Sequence, residues 1–159
     1  MEKHPLTPAG AAKLEAELKN LKTVDRPDVI AAIQEARAHG DLTENAEYHA
    51  AKERQRFIEY RISFIDNLFS SCEVIEPSKV AGDTVKFSAT VKVVDVNTDE
   101  EKVYQIVGEA EADMEAKPAK ISYKSPLARA LIGKKSGDTA EFQTPGGARE
   151  FEVLEIKYI

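Results

Sequence analysis

A single cysteine, Cys72, and no tryptophan stand among the 159 residues. One cysteine excludes an intramolecular disulfide framework and a cysteine-rich zinc site, and it suits a reducing compartment. The three histidines, His4, His39 and His49, offer no His-x-x-x-His metal spacing. No apolar run approaches the length of a membrane span, and residues 1–6 lack the charged-then-apolar layout of a signal peptide, so a cytoplasmic chain is expected. Net positive charge is missing as well. A formal net charge of -6 argues against tight, nonspecific binding of duplex DNA by the whole surface, while leaving room for a local basic patch. Aromatic residues make up only 7% and charged residues 31%, a balance that suits long exposed helices with much surface and little core. The length allows one domain or two small ones.

What is present is strongly periodic. Thr7-Pro8 has the form of a helix start, with Thr as N-cap and Pro where no N–H is needed. Ala11, Leu14, Leu18 and Leu21 then recur at the spacing of a helical seam. Pro27 removes a backbone hydrogen bond and clashes with the preceding turn, so a kink or a one-turn break is expected there, with Asp25 placed to cap a restarted helix. The seam resumes at Val29, Ile33 and Ala36 and stops at Gly40, which tolerates positive φ. A second helix is predicted from Asn45 to about Ile75. In it Tyr48, Ala51, Gln55, Ile58, Ile62, Ile65, Phe69 and Cys72 keep a seven-residue repeat. Two helices joined by so few residues must run antiparallel. About 30 residues in each give an arm of roughly 45 Å, and alanines clustered toward the connection keep that end slender.

Pro77 and the polar residues 78–83 mark a boundary, after which the period changes to two. Val85-Phe87-Ala89-Val91-Val93, residues 102–107, residues 121–123, residues 139–143 and residues 150–158 read as strands. Ser125-Pro126-Leu127-Ala128-Arg129-Ala130-Leu131-Ile132-Gly133 reads as a short helix with Ser as cap, Pro first and Gly last. Thr144-Pro145-Gly146-Gly147 suits a type II turn. The expected fold is α+β in two domains: a long antiparallel helical hairpin over residues 1–76, and an antiparallel sheet carrying one short helix over residues 77–159.

Two charged features invite a functional reading. Asp41 and Glu44 lie in the connection between the long helices, where Asp41-Leu42-Thr43-Glu44 also has the form of a capping box favoured by the helix dipole. The run Lys52-Glu53-Arg54-Gln55-Arg56, with Arg37 and Arg61, is either a solvated face paired to Glu53 and Glu59 or a surface for a phosphate backbone. Ser125 has no histidine beside it in a nucleophile motif, and Cys72 continues the apolar seam as a core residue.

The run His39-Gly40-Asp41-Leu42-Thr43-Glu44-Asn45-Ala46-Glu47-Tyr48, followed by the capped segment from Ser125 to Gly133 and by Thr144-Pro145-Gly146-Gly147, resembles the GreA/GreB family of bacterial transcript cleavage factors. The similarity covers essentially the whole chain in order, and the acidic balance and Arg26-Pro27-Asp28-Val29-Ile30-Ala31-Ala32-Ile33 lean to its GreA branch. The resemblance implies a coiled coil that enters the secondary channel of RNA polymerase and an FKBP-like domain that docks outside, on the β′ coiled coil. Asp41 and Glu44 would then help the polymerase's own centre hydrolyse backtracked RNA, completing the ligands of a second Mg2+ that the isolated protein does not bind. By the same resemblance Arg37 and Lys52 contact the RNA 3′ segment, and Ser125, Pro126 and Leu127 form the polymerase-docking surface. Arg54 and Arg56 have no counterpart in the family pattern. The protein is expected to be a monomer and to stimulate an enzyme without being one. Three alternatives stand beside this reading. A prolyl isomerase would need an aromatic-lined pocket built from Phe87, Tyr104, Tyr123, Phe142, Phe151 and Tyr158. A channel-blocking inhibitor need not keep both tip acids, and a coiled-coil chaperone should have an apolar tip.

Overall fold

The computed structural model describes residues 3–159. They form two compact units, one from Ala11–Cys72 and the other from Lys3–Gly10 together with Glu73–Ile159.

The first unit is a helical hairpin. Helix α1 (Pro8–Asn20) runs into a π-helical turn (Leu21–Asp25) and then α2 (Arg26–Ala38), and α3 (Ala46–Ser70) returns. The interruption expected near Pro27 takes the form of this π turn, with no non-helical residue: Asn20, Asp25 and Arg26 all keep right-handed helical angles. The Arg26 N–H reaches back five residues to Leu21 O. That wider turn gives the Pro27 ring room against the preceding carbonyls and shifts the ladder where proline can make no bond. Asp25 caps nothing, and its Oδ2 accepts from Asn20 Nδ2 at 3.4 Å instead.

The seams meet as their spacing requires. Leu21, Val29, Ile33 and Ala36 are buried on one strand of the hairpin, and Ala51, Ile58, Ile62 and Ile65 on the other. Each fully buried aliphatic side chain contributes about 1.5–3 kcal/mol over its exposed state. Charged pairs set the register. Arg26 donates through Nε and Nη2 to both Glu59 carboxylate oxygens (2.8 and 2.9 Å), and Arg61 does the same to Glu17 (2.7 and 2.9 Å). These two-bond guanidinium contacts hold the Glu17 and Glu59 carboxyls below their ordinary titration range.

Helix α3 stops at Ser70, short of the expected Ile75, and Cys72 is half-buried instead of lying in the core. The cause is a distant partner. Strand β1 (His4–Leu6) pairs with β2 (Cys72–Val74), and Ile75 N–H donates to Leu6 O at 2.9 Å. Glu111 fastens the same N-terminal stretch. Its carboxylate accepts from the Thr7 N–H (3.1 Å), the Thr7 hydroxyl and the Gly108 N–H (2.8 Å). A Cβ at Gly10 would collide with that carboxylate, so glycine permits the approach.

After the single-turn α4 (Pro77–Val80) comes a five-stranded sheet. Its strands are β3 (Thr90–Asp95), β4 (Glu101–Val107), β5 (Ala119–Ser122), β6 (Thr139–Thr144) and β7 (Gly147–Lys157), in the order β5-β4-β3-β7-β6. All pairs are antiparallel except β4 with β5, which is parallel because the intervening 108–118 segment carries the chain back before it re-enters the sheet. Helix α5 (Pro126–Leu131) places Ala128 and Leu131 in the core with Val91, Val93, Ile106, Phe151 and Val153.

Two local expectations change. Residues 85–89 are not part of the strand, because Ser88 takes φ +72° and turns the chain before Thr90. Pro145 and Gly146 make the β6–β7 turn, but the positive φ falls on Gly147 (+116°), so the turn is not type II. No helix among the described residues is long and apolar enough to cross a membrane.

Candidate functional site

The connection at the end of the hairpin is built from backbone chemistry on both sides. Helix α2 closes with His39, whose N–H donates to Ala36 O at 3.1 Å, and Gly40 follows at φ +127°. Such an angle suits glycine and lets the chain reverse within one residue. On the far side Asn45 is the N-cap of α3. Its Oδ1 accepts from Tyr48 N–H at 3.0 Å, while its Nδ2 donates to Ala36 O at 2.6 Å. One side chain therefore starts α3 and ties it to the last turn of α2. His49 Nε2 lies 3.1 Å from Thr43 O and holds the middle of the loop.

Asn45 changes the reading of the two acids. The capping box that Asp41-Leu42-Thr43-Glu44 suggests is not formed, since α3 begins at Ala46 and Asn45 supplies its cap. Asp41 spends Oδ1 on the Thr43 N–H (2.9 Å), an Asx turn that steadies the loop and leaves Oδ2 unspent. Glu44 makes no hydrogen bond or ion pair among the described residues. Both are exposed. With His39, Asn45, Ala46 and Glu47 they line an open recess at the hairpin end.

What these groups can do chemically follows from their type. The donors are carboxylate oxygens, the hard ligands that magnesium prefers, and magnesium commonly takes only one or two of them while keeping several waters. Among the described residues no group of three or more His, Cys, Asp or Glu side chains is arranged to hold a metal. Asp41 and Glu44 thus fit a partial ligand set offered outward better than an enclosed site.

The basic residues divide by partner. Arg26 and Arg61 are committed to Glu59 and Glu17 across the hairpin. Among the described residues Lys52 contacts only the neutral Gln55 Oε1, at 3.3 Å, and has no ion-pair partner. Arg37, Arg54 and Arg56 have no ion-pair partner among the described residues, so the expected pairing to Glu53 and Glu59 is not made.

In the second unit the Ser125 hydroxyl caps α5 by accepting from Ala128 N–H at 3.2 Å. Leu127 is half-buried on the core and Pro126 is exposed, so Pro126 is the outward member of that trio. Tyr104, Phe151 and Phe142 are spent on packing, with ring centroids 6.4 and 5.1 Å apart. Tyr158 donates its hydroxyl to Thr84 O.

Asn45 and His49 hold the loop that carries the two acids, roles that sequence reasoning missed. For Asn45 the signal was present, because Asn before an alternating helix start is itself an N-cap pattern. The solvent-facing aromatics of α3, Phe57, Tyr60 and Phe64, carried no such signal.

Residues 4–74 match a family described as transcription elongation factor, N-terminal, and residues 79–158 match transcription elongation factor, GreA/GreB, C-terminal. The chain is 58% identical over 158 residues to the transcription elongation factor GreA of Rhodospirillum rubrum, covering 99% of both chains. It is 58% identical over 159 residues to that of Cereibacter sphaeroides, covering 100% of both. Among solved structures, GreA factor homolog 1 of Thermus thermophilus aligns over 98% of this chain and 99% of its own at 29% identity, with a TM-score of 0.45.

Proposed function

The chain belongs to the GreA/GreB family of transcription elongation factors, and from that premise we propose that its hairpin enters the secondary channel of RNA polymerase and stimulates cleavage of backtracked RNA. The observation that carries this reading is that neither tip acid caps α3 and that Asp41 commits only Oδ1 to the loop. Asn45 caps α3, so three of the four carboxylate oxygens of Asp41 and Glu44 are free. A helical arm whose returning helix α3 spans 25 residues, about 38 Å, is long enough to carry them to a buried centre.

Asp41 and Glu44 would hold magnesium jointly with the polymerase, and the bound ion would supply charge neutralisation at the phosphoryl oxygens and a more acidic water. The chain's own contribution is to present Asp41 Oδ2 and the Glu44 carboxylate on a loop already immobilised by Asn45 and His49, so little ordering remains to be done on arrival. A carboxylate oxygen there also orients the attacking water and receives its proton. Arg37 and Lys52, neither ion-paired among the described residues, meet the backbone of the RNA 3′ segment. The segment around Ser125, Pro126 and Leu127, with Pro126 outermost, docks on the polymerase β′ coiled coil at the channel rim. The protein acts as a cytoplasmic monomer, and the catalytic centre belongs to the polymerase.

The test is a stalled, backtracked polymerase complex incubated with the protein at limiting magnesium, reading RNA length over time. Asp41→Asn and Glu44→Gln should each keep polymerase binding and lose stimulated cleavage. Full cleavage by both single variants would overturn the assignment.

A further inference from the structure

The hairpin has a second surface that the tip chemistry does not use. The chain holds five tyrosines and six phenylalanines. Of these eleven rings only Phe57, Tyr60 and Phe64 are exposed, at 66%, 68% and 38%. All three lie on α3 at spacings of three and four, which puts them on one face of the helix. That face points away from the seam, since Ile58, Ile62 and Ile65 fill the buried side. Single exposed apolar side chains need no explanation, but aligned rings that gather every exposed aromatic of the chain do.

The charge around the rings narrows the choice of occupant. Arg54 and Arg61 lie to one side of Phe57 on the helical wheel, and Arg56 lies to the other, beside Tyr60. Arg54 and Arg56 are without ion-pair partners among the described residues, and the Arg61 guanidinium sits 5.2 Å from the centre of the Phe64 ring. Arg61 is paired to Glu17, and Glu53 lies one turn before Phe57 on the same face, so the uncompensated positive charge beside the rings is that of Arg54 and Arg56, in a chain whose net charge is -6. Flat rings flanked by unpaired guanidinium groups suit a flexible polyanion with planar bases: every base has a face to stack, and the arginines meet the intervening phosphates. A protein surface of mixed charge would be a poorer match. The ring positions are about 4.5 and 6 Å apart along the helix axis, which spans one to two nucleotide steps of about 3.4 Å.

We propose that the Phe57, Tyr60 and Phe64 face of α3 is a stacking platform for single-stranded RNA, with Arg54 and Arg56 neutralising the flanking phosphates. This deepens the cleavage-factor reading and rests on it for the identity of the strand, the extruded transcript. It gives Arg54 and Arg56 a role distinct from the backbone contacts of Arg37 and Lys52. The platform begins thirteen residues beyond Glu44, about 20 Å along the arm, so it holds RNA away from the scissile bond.

The experiment uses the full chain, without polymerase, and a short fluorescein-labelled single-stranded RNA, followed by anisotropy at low and moderate salt. The double variant Phe57→Leu/Tyr60→Leu keeps apolar volume and helix propensity but removes stacking. It should weaken binding roughly tenfold or more, whereas Tyr60→Phe should bind as the parent does. Arg54→Gln/Arg56→Gln should flatten the dependence of log K on log salt by about 1.4, the single-strand value for two phosphates. A duplex RNA of equal length should bind more weakly than the single strand. The proposal falls if the leucine variant binds RNA like the parent. It also falls if the parent shows no saturable binding, or if, in a separate polymerase-binding assay, that variant loses polymerase affinity with RNA binding unchanged, which would assign the face to protein. Because no cleavage is read, failure here leaves the role of Asp41 and Glu44 standing.

Discussion

Asn45→Ala should disable the tip while leaving both acids in the sequence. The substitution removes the N-cap bond to Tyr48 N–H, a loss of about 0.5–2 kcal/mol. It also removes the Nδ2 bond to Ala36 O, worth about 0.5–1.5 kcal/mol. The two losses share one side chain, so a total near 1–3 kcal/mol is expected, concentrated in the loop and the first turn of α3. The Ile58, Ile62 and Ile65 seam lies farther along and keeps the hairpin formed. Hydrogen exchange is the direct readout, because it reports opening residue by residue, whereas a single melting temperature would blend a local loss with the rest of the chain. Protection of the Tyr48 amide should fall by roughly tenfold or more, with little change at Ile62, and stimulated RNA cleavage should fall alongside it. Asn45→Asp separates the two functions: it keeps an acceptor for Tyr48 and loses the donor to Ala36, so protection at Tyr48 should largely return. Unchanged exchange at Tyr48 in Asn45→Ala would refute the claim that this side chain organises the tip.

Two further outcomes follow from the packing. Ser88→Gly should stabilise the second unit by about 1–2 kcal/mol in urea denaturation, since Ser88 is held at φ +72° and its fully buried hydroxyl has no partner among the described residues; loss of stability would show that the hydroxyl is satisfied. Acidification should weaken the hairpin: Glu17 and Glu59 titrate lower when folded, so their contribution is complete above the unfolded value of about 4.3 and is lost as pH falls through the lower folded values. The carboxylates are partly exposed, which keeps the effect small; Glu17→Gln should flatten the pH dependence of the urea midpoint, and an unchanged slope would refute the assignment.

Much of this molecule was legible in the order of its residues. The hairpin seam, the stop at Gly40, the Ser125 cap and the location of the acidic tip all depend on groups within a few positions of one another. Periodicity and capping chemistry are local, and the sequence displays them directly. The apolar residues Val29, Ile33, Ala36, Ala51, Ile58, Ile62 and Ile65 are buried as their spacing required.

Tertiary structure decided the rest, because it depended on which distant groups met. Leu6 accepts from Ile75 and so ends α3 early, and Glu111 reaches across more than a hundred residues to hold Thr7. No window of sequence contains either pair. Pro27 looked like a breaker until a π turn, supported by packing along the whole hairpin, absorbed it. At the tip the choice between cap and chemistry was equally undetermined. Asp41, Glu44 and Asn45 all have cap-forming or acid side chains; Asn45 takes the cap through its local bond to Tyr48, and its second bond, to Ala36 across the hairpin, is one that no short window of sequence displays.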